Sequence, residues 1–193
     1  MAQEIILVGL NHRTAPVEVR EQFALPDTGP QDLGLFTPDS PVQEALTLST
    51  CNRVEILAVL EAGHDPVQPL LAAWSGLCAE DQSRLQEHIY SYRGSQAIEH
   101  VFRVASSLDS MVVGEPQILG QLKDAYRQAV EQGTTRTIIN RLMHKAFSVA
   151  KRVRTETRIA QSAVSISFAA VQLARDIFGD LSQQTAMLIG AGE

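Results

Sequence analysis

Cysteine is scarce in this chain, aromatic residues make up only 5% of it, and no apolar run approaches the roughly 20 residues needed to cross a bilayer. The two cysteines, Cys51 and Cys78, have no second Cys or His at ligand spacing. Neither a zinc site nor a disulfide framework is signalled, so both read as free thiols and no metal is expected. A leader is not expected either. Met1-Ala2-Gln3-Glu4 passes straight into Ile5-Ile6-Leu7-Val8-Gly9 without a basic segment or a small-residue cleavage site, which predicts a cytoplasmic protein with no membrane association. Internal repeats and low-complexity tracts are absent. A formal charge of -6 argues against a protein that coats nucleic acid generally.

What is present is a 45% hydrophobic chain with two kinds of periodicity. Up to Gly94, strands are predicted over 4–10, 43–49, 54–60 and 87–92, with helices over 17–25 and 67–79. This β-α-β-β-α-β order predicts an α+β fold with a ferredoxin-like, split βαβ sheet in 1–93, although the Pro/Gly-punctuated stretch 26–41 leaves one connection open. Beyond it, helices are predicted over 95–107, 116–132, 136–156 and 162–178, the first three forming a helical part over 94–160. The helix over 116–132 is the cleanest. Ile118, Leu119, Leu122, Ala125, Tyr126 and Ala129 recur on one face, Pro116 fits the first turn and Gly133 supplies the stop. The last helix is apolar around nearly its whole circumference and is expected to be buried on more than one side, as between two domains. The final residues, 161–193, read as this linker helix and a short strand, 185–189, running into Gly190-Ala191-Gly192-Glu193. A strand followed by Gly-x-Gly opens a dinucleotide-binding unit, but it also describes an ordinary glycine turn.

The densest chemistry lies in Ser49-Thr50-Cys51-Asn52-Arg53-Val54-Glu55, between two predicted strands. In extended backbone, residues two apart share a side, so Ser49, Cys51 and Arg53 can project together. A nearby guanidinium favours the thiolate of Cys51. Arg53 could instead grip a carboxylate with its planar fork, and Thr50 and Asn52 add a hydroxyl and an amide. The competing reading is an inert core cysteine, as Cys78 in Leu70-Leu71-Ala72-Ala73-Trp74 looks to be. Gln117 and Gln121 stand four apart on one helix flank, suited to a polar ligand or to the edge of a packed face. On the helix over 95–107, Ile98, Val101, Phe102 and Ala105 form the buried stripe, which turns His100 outward with Gln96 and Arg103. From Arg136 to Arg158, seven Lys/Arg oppose one acid, a local charge of +6 that leaves -12 over the remainder. Arg141, His144, Lys151 and Arg152 face away from Leu142, Met143, Ala146, Phe147 and Ala150, making a cationic ridge that suits RNA phosphates or plain solvation.

Three long blocks carry a resemblance: Gly9-Leu10-Asn11-His12-Arg13-Thr14-Ala15-Pro16, the Cys51 block, and Ser110-Met111-Val112-Val113-Gly114-Glu115-Pro116-Gln117-Ile118-Leu119-Gly120-Gln121. With Lys151-Arg152-Val153-Arg154-Thr155-Glu156-Thr157 and the terminal Gly190-Ala191-Gly192-Glu193, they resemble the signature blocks of glutamyl-tRNA reductase in order. The resemblance implies reduction of glutamyl-tRNA to glutamate-1-semialdehyde, the first committed step of tetrapyrrole synthesis. A thiolate at Cys51 would attack the aminoacyl ester, and NADPH would reduce the thioester. It implies Cys51 and His100 as catalytic residues. Thr50, Asn52, Arg53, Ser110, Glu115, Pro116, Gln117 and Gln121 would hold the glutamyl group, with Arg53 on its side-chain carboxylate. It assigns Gly190, Ala191, Gly192 and Glu193 to the start of a truncated, Rossmann-type NADPH site. The family's partners, glutamate-1-semialdehyde aminomutase and a second copy of the chain joined through a C-terminal domain, are implied likewise, as is the inability of a chain ending here to complete the reduction. A non-catalytic tRNA-binding module is the alternative.

Overall fold

A computed structural model of the chain describes residues 3–26, 29–38, 40–63, 65, 67–159 and 166–187. The order of elements is β1 (Gln3–Asn11), α1 (Val17–Gln22), a 3-10 turn (Pro30–Leu33), β2 (Val42–Ser49), β3 (Arg53–Glu61), α2 (Val67–Cys78), α3 (Gln82–Gln86) and β4 (Tyr90–Arg93). Then follow α4 (Ser95–Ala105), α5 (Gln117–Glu131), α6 (Thr137–Glu156) and α7 (Ile166–Phe178). This is a mixed α/β architecture around one four-stranded sheet in the order β2-β3-β1-β4, antiparallel at every pairing.

Helices cover both faces of the sheet, which is why β1 and β3 read as near-continuous apolar runs rather than as alternating ones. On one face Ile6, Val8, Leu10, Val54, Ile56, Ala58 and Leu60 pack with Val19 of α1, Phe23 just after it, Leu70, Leu71 and Trp74 of α2, and Leu85 of α3. Trp74 sits edge-on to Phe23 and donates its Nε1–H to the Phe23 carbonyl at 2.8 Å, so its one polar atom is satisfied inside the core. On the other face Leu7, Leu46, Leu48, Leu57 and Val59 meet Val101 and Val104 of α4, Leu122 of α5, and Leu142, Met143 and Ala146 of α6. The two halves of the chain thus share one sheet, each supplying one covering layer.

The edge strand β2 is tied to the second layer through polar groups. Ala45 N–H donates to the Thr134 carbonyl at 2.8 Å. The buried Glu44 carboxylate accepts the N–H groups of Arg136, Ile138 and Ile139 at 2.7, 2.9 and 2.9 Å, capping α6 from a strand about ninety residues earlier. First-turn amides have no partner within their own helix, so an outside carboxylate there is both acceptor and counter-charge.

Several boundaries differ from expectation. α1 ends at Gln22, because Phe23 leaves helical geometry as its ring enters the core. The last strand begins only at Tyr90, preceded by the short helix α3, which Asp81 caps through Ser83 N–H at 2.9 Å. The stretch 26–41 contains the 3-10 turn, which Gly34 closes in left-handed backbone. Of the strand predicted over 185–189, residues 185–187 have no regular structure and the rest lies outside the described residues, as do Gly190, Ala191, Gly192 and Glu193. Val171, Leu173, Ile177 and Phe178 of α7 are exposed. No helix of the described residues is long and apolar enough to cross a membrane.

Candidate active site

β2 and β3 are joined by a tight reversal with Cys51 and Asn52 at its tip. Thr50 N–H donates to the Arg53 carbonyl at 2.8 Å, while the Thr50 hydroxyl accepts from Asn52 N–H at 3.2 Å and Arg53 N–H at 3.1 Å. A hydroxyl taking the place of a main-chain acceptor is a common way to close a turn. The expectation that Ser49, Cys51 and Arg53 project to one side of extended backbone is therefore corrected, since the chain reverses between them. Cys51 is exposed, Ser49 Oγ accepts from Leu25 N–H at 3.1 Å, and Arg53 is only 1% exposed. The guanidinium bonded to the Cys51 residue belongs instead to Arg20, whose Nε donates to the Cys51 carbonyl at 3.0 Å and whose Nη1 donates to the Ala15 carbonyl at 2.7 Å. His12 flanks the turn, its N–H donating to the Asn52 carbonyl at 2.9 Å. Burial first, then the Arg13 and Arg53 charges, hold the His12 imidazole below its ordinary pKa.

Arg53 opens β3 and points into a buried charge cluster. Glu55 Oε1 accepts from Arg53 Nη1 at 2.7 Å and from the Tyr90 hydroxyl at 2.5 Å, and His100 Nε2 lies 2.7 Å from the same oxygen. Arg53 Nη2 donates to the Asp109 carbonyl. The Asp109 carboxylate approaches His100 Nδ1 at 3.6 Å and Arg13 Nη1 at 3.0 Å. Tyr90 and Tyr92 cover the imidazole, with ring centres 5.5 and 4.9 Å from it. Burial alone would raise the Glu55 carboxyl. The His100 contact, the Arg53 charge and the Tyr90 hydroxyl outweigh it and bring that pKa down to about 2. Burial and the neighbouring Glu55 carboxylate push the Tyr90 phenol well up, so it remains a donor.

His100 is thus buried, 5% exposed, which corrects the outward orientation expected for it. The expectation counted only apolar residues on α4. That helix is buried over a wider arc, and Glu55 and Asp109 supply the polar partners that let an imidazole sit inside.

The segment between α4 and α5 brings in the third block. Ser107 adopts left-handed backbone, φ 58°, its hydroxyl donates to the Glu115 carbonyl at 2.6 Å, and its carbonyl accepts from Gly114 N–H at 2.9 Å. Ser110 and Glu115 are buried, and Pro116 precedes α5. Burial raises the Glu115 carboxyl, opposed by the Arg53 charge, so the structure brings Glu115 within the electrostatic reach of Arg53. Gln117 and Gln121 are exposed one turn apart. A cleft of about 200 Å³ runs between the end of β2 and α5, lined by Leu25, Thr47, Ser49, Gln121 and Asp124. It brings Gln121 to the strand that ends beside Cys51.

Sequence reasoning assigned no role to Glu55, Asp109, Tyr90, Tyr92 or Arg20. Glu55 did carry a signal, because an acid that is the one polar residue in the apolar run Val54–Leu60 must be buried and therefore paired. Gly9 is placed by the same cluster. It lies opposite Glu55 in the ladder, and a Cβ there would stand 2.7 Å from Glu55 Cγ and 3.1 Å from the Tyr90 hydroxyl. Gly9→Ala is expected to displace that pair and cost about 1–3 kcal/mol in urea denaturation. A loss under about 0.5 kcal/mol would mean that the cluster tolerates the methyl group.

Comparison with known proteins bears on this arrangement. The family model "Glutamyl-tRNAGlu reductase, N-terminal domain" matches residues 8–157. Glutamyl-tRNA reductases of Nitratidesulfovibrio vulgaris strain Hildenborough and of Lawsonia intracellularis are 62% and 58% identical over 193 residues, all of this chain. The chain spans only 44% of each relative's length. The solved glutamyl-tRNA reductase of Methanopyrus kandleri superposes with a TM-score of 0.67 at 36% identity, over 98% of this chain and 44% of that one. With three of its signature blocks meeting around one turn and one buried charge cluster, the chain belongs to the glutamyl-tRNA reductase family, its residues 8–157 matching the family's N-terminal domain.

Proposed function

We propose that this chain performs the acyl-transfer half of glutamyl-tRNA reduction, with Cys51 as nucleophile. The observation that carries the reading is the exposed Cys51 thiol on a turn whose next strand residue, Arg53, is anchored in a buried cluster of ionisable groups. Cys51 Sγ attacks the ester carbonyl as thiolate. The carbon–sulfur bond forms, the bond to the ribose oxygen breaks, and the tRNA leaves with its hydroxyl restored by a proton. Arg53 receives the glutamyl side-chain carboxylate through N–H groups that Glu55 and Asp109 leave unused. Thr50 shapes the turn, Asn52, Ser110 and Pro116 border the acyl group, and Gln117 and Gln121 offer amides. Glu115, its carboxyl raised by burial, faces the same site. His100, held between Glu55 and Asp109, positions the ester or carries a proton at Nε2 or Nδ1.

In a full-length member of the family, NADPH would supply the hydride that reduces the thioester to glutamate-1-semialdehyde for tetrapyrrole synthesis in the cytoplasm. That protein acts as a homodimer and hands its product to the aminomutase. The Gly190–Glu193 segment assigned to NADPH lies outside the described residues, so the chemistry of the described side chains stops at acyl transfer. The sheet order and antiparallel pairing are consistent with a ferredoxin-like, split βαβ topology. The domain reading is 1–93 as the sheet unit, 94–160 as its helical complement and 161–193 as the linker.

The test is intact mass of the chain after mixing with glutamyl-tRNA. A single glutamyl adduct, mapped by peptide digestion to Cys51 and not to Cys78, is expected. Retention of tRNA without any adduct would replace this reading with a non-catalytic tRNA-binding module.

A further inference from the structure

Beside the site, α5 and α6 enclose an open cleft of about 590 Å³ whose polar lining is Lys123, Lys151, Arg154, Ser148 and Thr155. No carboxylate lines it. Among the described residues neither lysine is in an ion pair, and Lys123 Nζ stands 5.9 Å from the centre of the Phe147 ring on the cleft wall. The neighbouring acids are already engaged elsewhere, Glu156 with Arg152 at 2.9 Å and Asp124 with Arg127 at 2.7 Å. The Thr155 hydroxyl donates to the Lys151 carbonyl at 3.1 Å, which leaves three cations and the Ser148 hydroxyl in an open cleft, a site for an anion larger than a single carboxylate.

The cleft is joined to the candidate active site through one hydrogen bond and through the backbone of α5. Arg154 Nη1 donates to the Gly114 carbonyl at 3.4 Å, and Gly114 directly precedes Glu115. On the other wall, Lys123 is two residues beyond Gln121 on α5. Gly114 has φ 90°, and a Cβ there would collide with the Ile159 carbonyl, so the end of the basic segment is pressed against this same loop. Gln121 and Lys123, two apart, lie on opposite sides of α5, so an anion in the cleft shares that helix and the loop at Gly114 with the proposed acyl site while standing on the helix's other flank.

We propose that this cleft binds phosphodiester groups of the RNA strand whose end carries the glutamyl ester. The inference rests on the acyl-transfer reading for the identity of the RNA, and on the cleft's own lining for the phosphate. Lysines act on phosphate as point charges and the Ser148 hydroxyl can donate to its oxygens, so the contact carries no base sequence but sets where the strand end lies. Such a site explains how an acidic chain can take up RNA: three of its cations meet in one cleft that no carboxylate lines.

The experiment measures tRNA affinity of the 193-residue chain against salt for the wild type, for Lys123→Gln/Lys151→Gln, and for Arg84→Gln on the opposite helical layer. The double variant is expected to bind about 3- to 30-fold more weakly near 0.1 M salt and to lower the log–log salt slope by about 1 to 2. Arg84→Gln should match the wild type. Circular dichroism of each variant checks folding, and both lysines are exposed. An unchanged slope in the double variant, or an equal loss in Arg84→Gln, overturns the assignment. Tripolyphosphate and NADPH are added as competitors: displacement of tRNA by NADPH at lower concentration than by tripolyphosphate would also overturn it, by making the cleft a nucleotide site. The Cys51 adduct is scored in parallel. An adduct with an unchanged slope removes the cleft and keeps acyl transfer, whereas a changed slope without an adduct keeps the cleft and removes acyl transfer.

Discussion

Replacing Glu55 by alanine is expected to cost about 3–5 kcal/mol, because it leaves the guanidinium of Arg53 buried without its counter-charge. The same carboxylate oxygen serves Tyr90 and His100, so one substitution strands groups from β3, β4 and α4 together. Urea denaturation measures the loss, and a variant within about 1 kcal/mol of wild type would show that water or a rearranged Asp109 replaces the carboxylate. The pH dependence has a definite sign. The Glu55 carboxyl has a pKa of about 2 in the fold against 4.5 for the free group. A lowered pKa means that the stabilisation is complete above 4.5 and disappears as pH falls towards 2. Glu55 alone should account for a loss of about 3 kcal/mol across that window. Glu55→Gln, less stable at neutral pH, should lack this component, and superimposable acid-denaturation profiles would remove Glu55 as its source.

Glu44→Ala should be nearly as damaging although Glu44 lies at the far edge of the sheet. It leaves three amides at the start of α6 without an acceptor in a buried place, for a loss of about 3 kcal/mol or more. Hydrogen exchange localises the effect: the Ile138 and Ile139 amides should lose protection first, before those of β1 and β3. Glu44→Gln, which keeps an acceptor oxygen, should recover part of the loss. Unchanged exchange at Ile138 and Ile139 in Glu44→Ala would mean that α6 is held by its apolar face alone.

The apolar periodicity located every strand and helix of the described residues except α3 and the 3-10 turn, because burial of a sheet on both faces and of a helix on one leaves a pattern in the sequence. α3 is a single turn of five residues, too short for a period. The site was legible as motifs and illegible as geometry. Cys51 was found from its polar neighbours, yet the reversal beneath it depends on one hydroxyl, Thr50, that no periodicity reports. His100 was misplaced because its partners, Glu55 and Asp109, come from β3 and from the segment after α4, and a polar residue is assigned to the surface unless its distant partners are known. Glu44 was passed over for the same reason, since it meets α6 only across the fold.

The two helical layers differ in how they accept change. α1, α2 and α3 grip the sheet mainly through hydrocarbon, a contact without a unique register, in which residues of similar bulk can be exchanged and the helices can shift by fractions of an ångström. α4 and α6 are held in register by two carboxylates reaching from β3 and β2, and a carboxylate either meets its donors or does not. The layer that meets the buried charge cluster is therefore the one that cannot drift, and alteration of this protein by gradual substitution would proceed mainly in the hydrocarbon contacts of its other side.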